Sequence, residues 1–132
     1  MKLVYPAIFL HEEGTPGYAV EFPDLPGCVT GGDNLAEALF MAEDAASGWI
    51  LDELENGQLV PEASNIESIT TEEGQFVSLI ALDMETYAAK YGKNAVKKTL
   101  TIPAWLNTFA EQNGISCSKV LQDALTKLVQ EK

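Results

Sequence analysis

The stretch Lys97-Lys98-Thr99-Leu100-Thr101-Ile102-Pro103 decides how the chain is read. Lys97, Thr99 and Thr101 fall in phase, with Leu100 and Ile102 between them, so an extended segment here has one polar and one aliphatic face. Pro103 ends the strand and suits the first turn of a helix. Helix A is predicted over Ala104 to Gln112 and is broken by Asn113-Gly114. Ser116 then caps helix B, whose stripe is Val120, Leu121, Ala124, Leu125 and Leu128. One strand and two short helices cannot bury that apolar surface alone. Two copies can, with Leu100, Ile102, Leu106, Phe109, Val120, Leu121 and Leu125 as a shared dimer core. Their strands then pair antiparallel and turn Lys97, Thr99 and Thr101 outward. A two-stranded ribbon fits the DNA major groove, where lysine reaches guanine acceptors and threonine meets base edges or a thymine methyl. The start of helix B, at Ser116, Cys117 and Ser118 with Lys119 beside them, offers backbone N–H groups to a phosphate.

Working outward, the charge changes sign. Net charge is −12, yet residues 1–89 carry 17 acids and one lysine, whereas residues 90–132 carry seven lysines and three acids. Phosphates would repel the first part and attract only the second, so two modules with different partners are expected. Apolar residues make up 46% of the chain, enough for an ordinary core, so a disordered chain is excluded. No apolar run is long enough to span a membrane. The segment Met1–Pro6 has neither a long apolar stretch nor a small-residue cleavage site, so no signal peptide is expected. Cys28 and Cys117 lack metal-type spacing and read as reduced thiols of a cytoplasmic protein.

The acidic part reads as β-β-β-α-β, an α+β domain with one helix on a sheet. Leu3–Leu10 and Tyr18–Phe22 are predicted strands joined by the turn cluster His11–Gly17. Pro23-Asp24-Leu25-Pro26-Gly27 is a rigid bend before a short strand at Cys28–Gly31. Asp33 or Asn34 caps a helix with the stripe Leu35, Leu39, Ala42, Ala46, Trp49 and Ile50, closed at Asn56-Gly57. Residues 58–74 are a polar loop, and Gln75–Leu82 is a strand. Asp83 caps a short helix to Tyr91, and Gly92–Ala95 makes a joint. The domain boundaries are therefore 1–83, a linker with a short helix at 84–95, and 96–132.

The stretch Lys97–Leu128 resembles the ribbon-helix-helix family of bacterial repressors. That resemblance assigns base reading to Lys97, Thr99 and Thr101 and phosphate clamping to the start of helix B. The chain departs from the family in having no arginine, which leaves few strong base-reading groups on the strand. Tyr5-Pro6-Ala7, Gly17-Tyr18, Phe22-Pro23-Asp24-Leu25-Pro26-Gly27-Cys28 and Asn34-Leu35-Ala36-Glu37-Ala38 resemble the HicB antitoxin family. Together the two cover nearly the whole chain. The second implies a partial RNase H-like fold at the N-terminus that blocks a HicA-type toxin, a small RNA-cleaving protein. It also implies that the complex represses its own operon by binding operator DNA. A homodimer through the C-terminal domain is expected, with room for a larger assembly through the N-terminal one. Tyr5, Tyr18, Glu21, Phe22 and Asp24 are the toxin-contact candidates, and sheet core is the competing role for the aromatics.

Enzymatic readings fare worse. Glu21, Asp24, Asp33 and Asp83 are the right type for a metal site, but a bend, a cap and a helix start claim the three aspartates. His11, the single histidine, has no marked partner, and neither cysteine sits in a nucleophile motif. Gly27, Gly31 and Gly32 fit no phosphate loop. No enzyme, cofactor or metal is expected. The alternative function is a ligand-sensing ribbon-helix-helix regulator, although no convergent polar set marks a pocket.

Overall fold

A computed structural model describes residues 1–131. It is a mixed α+β protein whose chain divides into two compact units, one spanning residues 2–92 and the other beginning at Lys93.

The first unit is built on a four-stranded antiparallel sheet in the order β3-β2-β1-β4. Strand β1 (Lys2–His11) and β2 (Tyr18–Glu21) form a hairpin, with Ile8 opposite Glu21 and His11 opposite Tyr18. Strand β3 (Val29–Gly32) pairs with β2, and β4 (Gln75–Asp83) runs along the whole of β1, from Lys2 opposite Asp83 to Leu10 opposite Gln75. Pro6 lies inside β1 but beyond the stretch that β2 pairs, so its missing N–H need cost no ladder bond on that edge.

Helix α1 (Leu35–Glu55) lies on one face of the sheet, and α2 (Met84–Tyr91) follows β4 directly. Their ends are where the cap signals put them. Asn34 Oδ1 accepts the Glu37 N–H at 2.9 Å, and Asp83 caps α2. At the C-terminus of α1 the N–H of Gly57, with φ of 75°, donates to Leu54 O, and Gln58 donates to Glu53 O. The loop after α1 contains a single 3-10 turn at Ile66–Ser68.

The core lies between α1 and the sheet: Tyr5, Ala7, Phe9, Val20, Ile80 and Leu82 face Ala38, Ala42, Ala46 and Ile50. The inward stripe of α1 therefore differs from the one expected. Leu35 and Leu39 stand at the surface, and Ala38 takes the buried position at that end. The reason is how closely the helix approaches. A Cβ added at Gly32 would strike the Ala38 nitrogen and the Glu37 carbonyl carbon, so β3 and the start of α1 meet backbone to backbone. No room is left there for a leucine.

The run Phe22–Cys28 ties three segments together. Phe22 N–H donates to Cys28 O and Cys28 N–H to Leu25 O, with Gly27 at φ of 79° completing the bend. The bend drops Leu25 into the core. Trp49 Nε1 of α1 donates to Pro26 O at 3.1 Å, and the Asp24 carboxylate accepts from both the N–H and the hydroxyl of Ser64.

In the second unit, residues 93–103 carry neither helix nor ladder; α3 (Ala104–Gln112) and α4 (Cys117–Gln130) follow. The turn between them is a Schellman closure: Ile115 N–H donates to Ala110 O, Gly114 N–H donates to Glu111 O, and Gly114 has φ of 64°. The ribbon expected at Lys97–Ile102 is not a strand in a single chain, because a ladder needs two strands and one copy supplies one.

Candidate DNA and partner interfaces

The second unit has almost no interior. Among its described residues Ala110 is the one that is buried. Leu100 is 54% exposed, and Ile102, Leu106, Phe109, Val120 and Leu125 are exposed with it; Leu121 is half-buried. All of the expected dimer-core residues therefore lie on surface that a single copy leaves wet. That much apolar area on so short a segment calls for a partner.

Lys97, Thr99 and Thr101 are exposed in the segment without helix or strand that leads into α3, as are Leu100 and Ile102 between them. Ser116 caps α4, its hydroxyl accepting the Lys119 N–H at 3.2 Å. The N–H groups of Cys117 and Ser118 have no acceptor within the helix, as is usual in a first turn. Lys119 Nζ lies 3.0 Å from the Asp123 carboxylate one turn on. Both side chains are well exposed, so this i,i+4 pair is weak and a phosphate can compete for the ammonium.

The toxin-contact candidates separate by burial. Tyr5 and Phe22 are 1% and 3% exposed, in the core, and the Tyr5 hydroxyl donates to Pro61 O. Burial pushes the Tyr5 phenol above its ordinary value, and the nearby Asp24 charge adds to the shift. Neither ring offers surface to a partner, because loop 58–74 closes over one and the Phe22–Cys28 bend holds the other. Asp24 is half-buried and engaged by Ser64. Tyr18 and Glu21 keep open surface. Tyr18 packs against His11, with centroids 4.9 Å apart, and edge-on against Phe76 at 6.0 Å. Phe76 in turn stacks on Phe9 at 5.2 Å. Nothing in the local sequence singles out Phe76; the β1–β4 and β1–β2 registers together bring it beside Tyr18.

A groove of about 280 Å³ lies between α1 and α2, lined by Phe40, Asp44, Asp83, Tyr87, Lys90 and Tyr91 among others. Gly48 lets α2 come close: a Cβ there would lie 3.1 Å from the Tyr87 hydroxyl. Burial and then the Asp44 charge raise the Tyr87 phenol above its usual value. Of the four carboxylates considered for a metal, Asp24 serves Ser64 and Asp83 serves Thr86. Among the described residues no three of His, Cys, Asp and Glu converge on a metal position. No helix among them is long and apolar enough to cross a membrane.

Comparison with known proteins gives the family. The family model described as "HicB_like antitoxin of bacterial toxin-antitoxin system" matches residues 5–125. The chain belongs to the HicB-like antitoxin family. An uncharacterized 14.9 kDa protein from the rep-hol intergenic region of Haemophilus phage HP1 is 32% identical over 107 residues, covering 79% of this chain and 76% of its own. Antitoxin HicB 2 of Photorhabdus laumondii is 56% identical over a shorter stretch of 41 residues, 31% of this chain and 28% of that protein. Among solved structures, a toxin–antitoxin complex from Streptococcus pneumoniae is similar over 96% of this chain and 99% of that one, with a TM-score of 0.61 and 28% identity. The antitoxin HicB of Burkholderia pseudomallei shares the fold over 98% of both chains, with a TM-score of 0.55 and 20% identity. This HicB-like antitoxin thus resembles solved relatives across both of its units.

Proposed function

We propose that this antitoxin neutralises a HicA-type RNA-cleaving toxin through residues 1–83, folded as a partial RNase H-like domain. In the same proposal it represses its own operon through residues 96–132, paired as a ribbon-helix-helix homodimer on operator DNA, with residues 84–95 as linker. It works in the cytoplasm as a binding protein without cofactor or enzymatic activity. One observation carries the DNA half: every expected dimer-core residue of the tail is left partly or fully exposed by a single copy, on the same segment as the exposed Lys97, Thr99 and Thr101. Pairing two tails buries the first set and aligns the second. The toxin half is supported by the likeness to the Streptococcus pneumoniae complex and by charge. An RNA-binding toxin needs a positive surface, and a module with 17 acids attracts one and speeds encounter. With Tyr5 and Phe22 buried, Tyr18 and Glu21 are the candidates left with open surface, one on each face of β2.

The test separates the two modules. Thr99→Ala with Thr101→Ala weakens operator binding by roughly tenfold or more while toxin neutralisation stays intact. Equal loss of both activities overturns the division of labour. A second reading, a regulator that senses a small ligand, would have to use the open α1–α2 groove. Co-purification decides between them: a stoichiometric basic protein supports the antitoxin, and a bound metabolite supports the sensor.

A further inference from the structure

Helix α1 buries Ala38, Ala42, Ala46 and Ile50 and turns a second row of side chains toward α2. That row is Phe40, Glu43 and Asp44, three and four residues apart and so on one side of the helix. From α2 come Tyr87 and Tyr91, one turn apart, with ring centroids separated by 4.6 Å. Both sets line the same groove. Its rings are not core residues: Phe40 is 73% exposed and Tyr91 44%.

Rings and carboxylates together define what fits. An aromatic face attracts a cation, and a carboxylate beside it adds charge and a hydrogen-bond acceptor. The chain already shows the first effect, with the Lys90 ammonium 5.3 Å from the centre of the Tyr91 ring. It leaves the acids unused: among the described residues no ion pair holds Glu43 or Asp44. Asp44 shares the site with Tyr87, since burial and then the Asp44 charge raise that phenol. A guanidinium suits what remains better than an ammonium does. Its plane stacks on a ring while its N–H fork meets a carboxylate, and it is the more weakly hydrated ion. The groove is open rather than enclosed. A side chain presented by a large partner therefore fits it better than a free small molecule, which needs to be surrounded.

We infer that the α1–α2 groove receives an arginine side chain from the basic surface of the toxin, stacked on Phe40 and the two tyrosines and paired with Glu43 or Asp44. This rests on the neutralisation proposed above and gives it a place and a means, because an arginine held there cannot also hold an RNA phosphate. It also makes α2 part of the partner site, although its sequence position marks it only as a linker helix beyond residues 1–83.

The experiment uses two probes on the full chain. One is the small basic protein that co-purifies with it, titrated by calorimetry. The other is acetyl-arginine amide, followed through the ring signals of Phe40, Tyr87 and Tyr91 by NMR, with acetyl-lysine amide in parallel. Phe40→Ala and Asp44→Lys should each weaken binding of the basic protein by roughly tenfold or more. Asp52→Lys makes the same charge change on an exposed acid of α1 outside the groove and should weaken it far less. Circular dichroism checks the fold, and Tyr91→Ala replaces either groove variant that unfolds. The arginine amide should move the three ring signals in the parent and not in Asp44→Lys, and the lysine amide should move them less. If the groove variants bind the basic protein as the parent does, or if Asp52→Lys weakens it as much as Asp44→Lys, the groove is not the contact and neutralisation stands without it. An arginine amide that leaves the rings unmoved also overturns the inference. If no basic protein binds the chain but the arginine amide still titrates the groove, the toxin proposal fails and the guanidinium site stands.

Discussion

Gly32 lies directly against the backbone of Ala38, so the end of β3 and the first turn of α1 touch without an intervening side chain. That contact sets how near α1 sits to the sheet and hence which of its residues are core. Gly32→Ala must push the helix outward or bend β3, since the atoms a Cβ would meet are backbone rather than a flexible side chain. Overpacking of this kind costs about 1–3 kcal/mol. Urea denaturation of the full chain measures it; a variant as stable as the parent would mean that helix and strand are less closely seated than described.

The same contact marks where reading the sequence stops. Capping residues are local chemistry, so the pair Asp33-Asn34, with Asn56-Gly57 and Asp83, delimited α1 and α2 in advance; the structure gives the α1 cap to Asn34. The choice between Leu39 and Ala38 as the inward residue is not local. It depends on glycines in another strand, and hydrophobicity alone favours the larger side chain. Tyr5 and Phe22 show the same limit, because their burial depends on Pro61 and on the Phe22–Cys28 bend. Asp24 was visible as a bend residue, but its bond to Ser64 spans forty positions of chain. In the tail the alternation from Lys97 to Ile102 is legible as a two-faced segment, while its ladder belongs to an assembly and not to one chain.

Asp83 gives α2 a pH dependence with a definite sign. Its carboxylate accepts the Thr86 N–H at 3.2 Å and the Thr86 hydroxyl at 2.9 Å, which holds its pKa below the ordinary carboxylate range, helped by the nearby positive charge of Lys2 and the amino terminus. A depressed pKa stabilises the folded state above the unfolded carboxylate value. That contribution is lost as pH falls through the folded-state value. Asp83→Asn keeps a capping oxygen but cannot titrate, so it should flatten the acid limb of a helicity titration. An unchanged limb would place the acid sensitivity in other carboxylates.

The two thiols should differ sharply in reactivity. Cys28 is buried in the bend, and burial pushes its thiol above the ordinary value, whereas Cys117 is exposed at the start of α4. Near neutral pH, a disulfide reagent should label one thiol per chain quickly and the second only after denaturation. Because Cys117 lies where a phosphate is proposed to sit, operator DNA should slow the fast thiol. Two fast thiols would show that the Phe22–Cys28 bend opens readily, and DNA without effect would remove the start of α4 from the contact.

Lys119 tests the phosphate assignment most directly. Its ammonium is held only by the exposed pair with Asp123, so it can turn to a phosphate at little loss. Lys119→Ala should weaken binding to operator and to unrelated DNA alike, since a phosphate contact carries no sequence information. The log–log slope of affinity against salt should fall by about one for each phosphate contact removed, so by about two for a paired tail. Thr99→Ala should instead reduce the preference for operator over unrelated DNA and leave that slope in place. Fluorescence anisotropy across a salt series measures both quantities. If Lys119→Ala changes the preference and Thr99→Ala changes the slope, the two roles are reversed, and the ribbon no longer lies in the groove with α4 at its edge.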